Sequence, residues 1–216
     1  MTRLLLFGAA GQAGRAIVAE AANRNHQVVA VTYRSVLSDD VTALPAVQVR
    51  RGDASDPESV RALLKATKPD VVVATVGGQG RGIYAAIAKT LVEAAAESDT
   101  RPRIVHFGGG ATLTAPGGGR FLDLPGFPAE YLDPAAGQAA ALDYYRNSEY
   151  RSWTYFSPPP VDFFIGERRG TYRTATDDPV TDDEGRSRLS YADAALAVLD
   201  EIETPQYMGK RFTAGY

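Results

Sequence analysis

The chain has no cysteine among its 216 residues, which excludes a disulfide framework, thiol nucleophiles and cysteine-held metals. His26 and His106 are its only histidines, so a multi-histidine metal centre is excluded as well. Lysine is also sparse. Lys65, Lys68, Lys89 and Lys210 are all there are, and the long stretch between the last two has none. The arginines are scattered and the formal net charge is -3, a balance that argues against nucleic acid as a partner. Apolar runs are strand-sized and none approaches a membrane span. The first residues already read as structural sequence, with no room for a signal peptide. A cytoplasmic protein without a membrane partner, monomer or homodimer, is expected. Hydrophobic content of 44% and charged content of 23% are ordinary for a globular chain, and a single domain over residues 1–216 is expected.

What is present begins with a short apolar run, Arg3 to Phe7, followed by Gly8-Ala9-Ala10-Gly11-Gln12-Ala13-Gly14. Three glycines at this spacing, between a strand and an alanine-rich helical pattern, suit a turn that a pyrophosphate can approach closely. The helix behind it presents unpaired N–H groups and the positive end of its dipole. Strands and helices then alternate. A helix from Gln12 to Arg24 precedes a β-branched strand from Gln27 to Tyr33, and Val47 to Arg51 reads as a third strand. Ser55-Asp56-Pro57-Glu58 supplies helix-start chemistry, Val71 to Val76 reads as a buried strand, and a helix runs from about Arg81 to Glu97. Arg103 to Phe107 is a fifth strand and Ser152 to Ser157 a sixth. This order predicts an α/β, Rossmann-like doubly wound parallel sheet with a small C-terminal substrate-facing part. Ala115 to Pro134 reads as a loop or lid, Ala135 to Tyr150 as a helix and Val161 to Arg173 as a loop. A final helix is expected from Ser190, with Asp193 in its cap, and Arg211 to Thr213 as a terminal strand.

The second strand ends Thr32-Tyr33-Arg34-Ser35, with no carboxylate until Asp39. A carboxylate at that place favours the free ribose hydroxyls of NAD, and a cation favours a 2′-phosphate. Arg34, with Ser35 beside it, therefore points to NADP(H) in preference to NAD(H), unless Arg34 is only a solvated strand-end residue. Asp53 with Ala54 is placed for the adenine, or Asp53 is a turn residue, and both roles can coexist. Val76, Gly77 and Gly78 follow the fourth strand where the nicotinamide-side ribose would pass. Ser157 and Pro158 end the sixth strand on the nicotinamide side. Gly109, Thr112 and Phe163 are the candidate substrate contacts. No catalytic residue is identified, and Thr112 and His106 are weak candidates. Short-chain reductases use a Tyr-x-x-x-Lys pair for proton transfer. Here Tyr131, Tyr144, Tyr145 and Tyr150 lack any such lysine, and Tyr84 with Lys89 is five apart rather than four. Substrates that need strong proton transfer, sugar-nucleotide epimerisation included, are disfavoured.

Gly8-x-x-Gly11-x-x-Gly14, Arg34, Gly52-Asp53 and Trp153-Thr154-Tyr155-Phe156-Ser157-Pro158 carry a family resemblance. Gly166-Glu167-Arg168-Arg169-Gly170-x-Tyr172-Arg173 and Leu189-Ser190-Tyr191-Ala192-Asp193-x-Ala195 extend it over nearly the whole chain. The sequence resembles the atypical short-chain dehydrogenase/reductases, NmrA-like and biliverdin reductase B-like, and among them the bacterial group called NADH–flavin reductases. The resemblance implies NAD(P)H binding and reduction of a flavin- or quinone-like acceptor, a small aromatic molecule used as substrate rather than held as a prosthetic group. The competing expectation is a non-catalytic dinucleotide sensor of the NmrA-like kind.

Overall fold

The computed structural model describes residues 1–77, 80 and 82–216. Its centre is a sheet whose first strands are β1 (Arg3–Phe7), β2 (Gln27–Thr32), β3 (Val47–Arg51), β4 (Val71–Ala74) and β5 (Arg103–Phe107). Beyond them come β6 (Trp153–Phe156), β7 (Asp162–Phe164), β8 (Arg173–Ala175), β9 (Arg188–Ser190) and β10 (Lys210–Gly215). The sheet order is β3-β2-β1-β4-β5-β6-β10-β8, parallel throughout except where β8 runs against β10. β7 and β9 pair separately, in parallel. The order in which strands are added to the sheet reverses between β1 and β4, so their carboxyl ends border the crevice in which such sheets bind ligands.

Strand periodicity divides the core in two. Leu4 and Leu6 face α1 (Gln12–Asn23) and α6 (Tyr191–Glu203), where they join Val18, Val198 and Leu199. Leu5 and Phe7 face the opposite layer with Val60, Ile87 and Leu91. That layer consists of α3 (Pro57–Thr67), α4 (Gly82–Glu97) and α5 (Ala129–Asn147). Both faces of the strands are buried, which is why β1 and β4 read as unbroken apolar runs rather than alternating ones.

Local signals account for most element ends. Asp56 caps α3 by accepting the Glu58 N–H at 3.0 Å, with Pro57 at the first helical position, and Lys68 closes the helix in the left-handed region. Ser190 caps α6, its hydroxyl accepting the Asp193 N–H at 3.1 Å. Some expectations are corrected. α5 begins at Ala129, six residues before the expected start, and carries Pro134 within it. The proline removes a bond to the carbonyl of Glu130, which is exposed and can turn to water. The expected loop over 161–173 holds β7, and β8 and β9 were not foreseen, because three-residue strands leave no periodicity to read. β4 ends at Ala74, two residues early, and β10 extends to Gly215.

Two buried ionic groups tie the C-terminal elements down. Arg103 on β5 bonds the Glu201 carboxylate and, at 2.8 Å, its carbonyl, while Glu201 also accepts the N–H groups of Gln206 and Tyr207. Asp193, fully buried, accepts from the N–H groups of Arg169 (3.0 Å) and Gly170 (2.9 Å) and from the hydroxyls of Ser190 and Tyr216. Burial alone would raise this carboxyl, but those donors outweigh it and hold it below the ordinary aspartate range.

The β1–α1 turn rests on close contact. A Cβ on Gly14 would stand 2.2 Å from the carbonyl oxygen of Gly8, whereas one on Gly77 would meet nothing within 4 Å. Gly14→Ala should therefore lower unfolding free energy by about 1–3 kcal/mol. Gly77→Ala should leave it within about 0.5 kcal/mol. Urea denaturation of the two variants checks the pair.

Candidate dinucleotide site

Gly8 leaves β1 at φ +82°, a conformation that glycine adopts without strain, and a Cβ there would strike the Thr75 backbone at 2.7 Å. Thr75 holds this turn from the side, its hydroxyl donating to the carbonyls of Phe7 and Gly8 at 3.0 and 3.1 Å. Ala9 is buried and donates its N–H to the Val31 carbonyl, while Ala10 and Ala13 are half-buried. Gly11 and Gln12 are exposed at the entrance to α1. That helix has neither a side-chain cap nor an acidic residue in its first turn. Its leading N–H groups and positive dipole end are therefore open to an anion.

Beside this turn lies a cleft of about 500 Å³ whose lining includes Gly8, Tyr33, Arg34, Asp53, Val76 and Gly77. Arg34 is exposed and lies over the Tyr33 ring, 4.9 Å from its centroid. It pairs with no carboxylate among the described residues, so its charge at the lip is uncompensated. Ser35 is exposed next to it. Asp53 realises the turn reading: one carboxylate oxygen accepts both the N–H and the hydroxyl of Ser55, at 2.8 and 2.7 Å. The other oxygen bonds nothing among the described residues. Ala54 is buried against the same cleft, and Gly78 lies outside the described residues. Ile83 and Ile87 of α4 supply a wall that sequence reading missed, although their spacing of four residues was available as a signal. Tyr33, which supports Arg34, was missed too.

The far end of the sheet is more closed than the sequence suggested. Ser157 is fully buried, its N–H donating to the Phe212 carbonyl at 2.8 Å and its hydroxyl lying 3.1 Å from that of Thr112. The Thr112 hydroxyl also donates to the Gly109 carbonyl at 2.7 Å. Gly110 packs so tightly on the proline run that a Cβ would come within 2.4 Å of the Pro158 carbonyl oxygen. Phe163, half-buried, stands against Tyr191 and Phe107. A second cleft, about 800 Å³, adjoins this end, between Ala115, Pro116 and Phe121 on one side and Pro160, Val161 and Pro179 on the other.

Among the described residues no hydrogen bond joins Tyr144, Tyr145 or Tyr150 to a lysine, although Tyr144 lies near enough to Lys89 for their charges to interact. Tyr145 and Tyr150 are buried, and burial raises both phenols. Lys89 is bound by both oxygens of Glu93, at 2.6 and 2.7 Å, on the exposed side of α4. His106 is buried as well, stacked on Tyr155 with ring centroids 5.0 Å apart and with Nδ1 3.1 Å from the Tyr145 hydroxyl. Burial brings its imidazole down to about 4, so it is neutral near pH 7. An unfolded histidine titrates near 6.5, so the unfolded state binds the extra proton first on acidification. Stability should therefore fall between about pH 6.5 and pH 4, by on the order of 3 kcal/mol from this group. His106→Gln should flatten that part of the profile, measured by denaturation across the range.

Comparison with known proteins agrees with this geometry. The profile of the NAD(P)H-binding family matches residues 8–202. A structure from Burkholderia pseudomallei, provisionally named an exported protein, is 36% identical with a TM-score of 0.84, each chain covered in full. One from Streptococcus pneumoniae TIGR4, provisionally named an NADH-flavin reductase, is 30% identical with a TM-score of 0.86, over 100% of this chain and 99% of that one. A third, from Bacteroides thetaiotaomicron and provisionally named an epimerase, is 29% identical with a TM-score of 0.85, over 100% and 97% of the two chains. The names differ while the fold does not, and the glycine turn and its open helix end lie within the matched segment. The chain belongs to the NAD(P)H-binding family, in keeping with its resemblance to the atypical short-chain dehydrogenase/reductases.

Proposed function

We propose that the protein is a cytoplasmic NAD(P)H-dependent reductase that favours NADPH and passes hydride to a flavin- or quinone-like acceptor. The observation that carries this reading is the juxtaposition of the cleft, the open end of α1 and the unpaired Arg34. Gly8, Gly11 and Gly14 with the N–H groups of Gln12 and Ala13 would receive the pyrophosphate. Arg34 and Ser35 would receive the 2′-phosphate, and the free oxygen of Asp53 the adenine amino group, with Ala54 beneath it. Val76, Gly77 and Pro158 would border the nicotinamide. The name given to the pneumococcal relative supports the reductase class.

Reduced nicotinamide supplies a hydride from its C4 carbon. The chain's own residues then have to align an acceptor and exclude water, since neither Thr112, Ser157 nor His106 is free to move a proton. Thr112 and Ser157 spend their hydroxyls on each other and on Gly109, and His106 is sealed in the core. An electron-poor conjugated ring suits such a site, because alignment carries the reaction and solvent can return the proton. The same closed hydroxyls count against substrates that need a tuned acid or base.

Two measurements test the reading. Steady-state NADPH oxidation with riboflavin, FMN and a set of quinones should show turnover with at least one acceptor. Tight NADPH binding with no turnover on any of them would leave a dinucleotide sensor instead. Arg34→Ala should weaken NADPH by about 10- to 100-fold while leaving NADH nearly unchanged. Equal losses for the two cofactors in titration calorimetry would remove the 2′-phosphate assignment.

A further inference from the structure

The larger cleft shares no lining residue with the one beside the glycine turn, and its lining differs in character. Its walls are apolar: Pro116 and Phe121 face Pro160 and Val161. Val161 is 82% exposed at the rim of this cleft. Pro158, Pro159 and Pro160 all pack on Gly110, so the cleft that Pro160 lines opens beside the turn from Gly109 to Thr112.

Its polar groups are unevenly satisfied. Ser187, a lining residue, is buried, and its hydroxyl bonds nothing among the described residues. A buried hydroxyl without a partner is disfavoured, and a ligand edge within reach of its rotamers would relieve that. The lining carries the carboxylates of Asp162 and Asp178 against a single cation, Arg186. Arg186 already pairs with Asp182 and Glu184, and Arg188 with Asp162. Farther out, Arg211 and Arg146 both pair with Asp177, and Arg173 is turned to the carbonyls of Thr181 and Tyr216. Asp178 pairs with no cation among the described residues. An arriving phosphate would thus meet an unpaired carboxylate and no free guanidinium.

We infer that this cleft is the acceptor site, and that it selects uncharged planar acceptors over phosphorylated ones, with Ser187 bonding the acceptor's polar edge. The inference rests on the reductase reading and sharpens it. Within the flavins, riboflavin is favoured over FMN, the two differing by one phosphate. Neutral quinones fit by the same criterion.

The test is a pair of equilibrium titrations, following quenching of riboflavin and FMN fluorescence by the intact protein, beside steady-state NADPH oxidation with each. Riboflavin should bind about tenfold more tightly than FMN at low ionic strength, and the gap should narrow at about 0.5 M salt. Asp178→Arg should close or invert it. Ser187→Ala should weaken riboflavin by about three- to tenfold without weakening NADPH or lowering the melting temperature, since the hydroxyl it removes bonds nothing in the protein. Equal or tighter binding of FMN, absence of binding by either flavin, or a Ser187→Ala variant with unchanged riboflavin affinity would overturn the inference. Riboflavin binding with this selectivity but no turnover on any acceptor would support the cleft assignment and sink the reductase reading instead.

Discussion

The contact between Gly14 and the carbonyl of Gly8 sets the distance between the first strand and the first helix, and the candidate site is built on that distance. With the helix this close, its N-terminus comes level with the strand end, and N–H groups that would otherwise face water meet at one edge of a cleft. Thr75, just past β4, reinforces the arrangement by bonding the carbonyls of Phe7 and Gly8. A side chain at Gly8 or Gly14 would push the helix outward and disperse those donors. Geometry of this kind depends on what is missing from the residues, so it tolerates variation nearly everywhere else in the turn. Ala10, Gln12 and Ala13 keep their side chains clear of the contact.

Chemically, the two ends of the crevice are opposites. At the adenosine end, functional groups are left unspent: an arginine without a carboxylate, a carboxylate oxygen without a donor, a helix without a cap. At the other end, the hydroxyls of Thr112 and Ser157 are consumed internally and the imidazole of His106 is sealed in the core, with the Ser187 hydroxyl and the Asp178 carboxylate as the exceptions. Such a division suits a protein that holds its cofactor by specific charge and hydrogen bonding and positions its second ligand by shape. It also explains why a search for a catalytic acid found only weak candidates.

Much of this was legible in the sequence, for identifiable reasons. The parallel sheet announced itself because β1 and β4 are buried on both faces and read as nearly unbroken apolar runs. Arg34 was legible because strand-end position alone brings it to the crevice. The glycines at 108 and 110 have no local reason to be glycine. Their need comes from Tyr155 and the proline carbonyls, which are distant in sequence. Thr112 lies in the turn after β5 and Ser157 just past β6, and their hydroxyls turn toward each other, a pairing over 45 residues that no local pattern encodes. The larger cleft was invisible for the same reason, since its walls come from three loops without periodicity.

Asp193 gathers donors from the 166–170 segment, from the start of α6 and from Tyr216. The 166–170 segment is exposed throughout and has little apolar surface to settle it, and β7 and β9 are only three residues each. Their order is thus pooled. A thermal fluctuation that frees one donor weakens the hold on the others, so these pieces should open and close as a single cooperative unit. The small sheet that carries Phe163 belongs to that unit, and the breadth of the crevice beside it is governed by one buried carboxylate about 30 residues downstream in the chain.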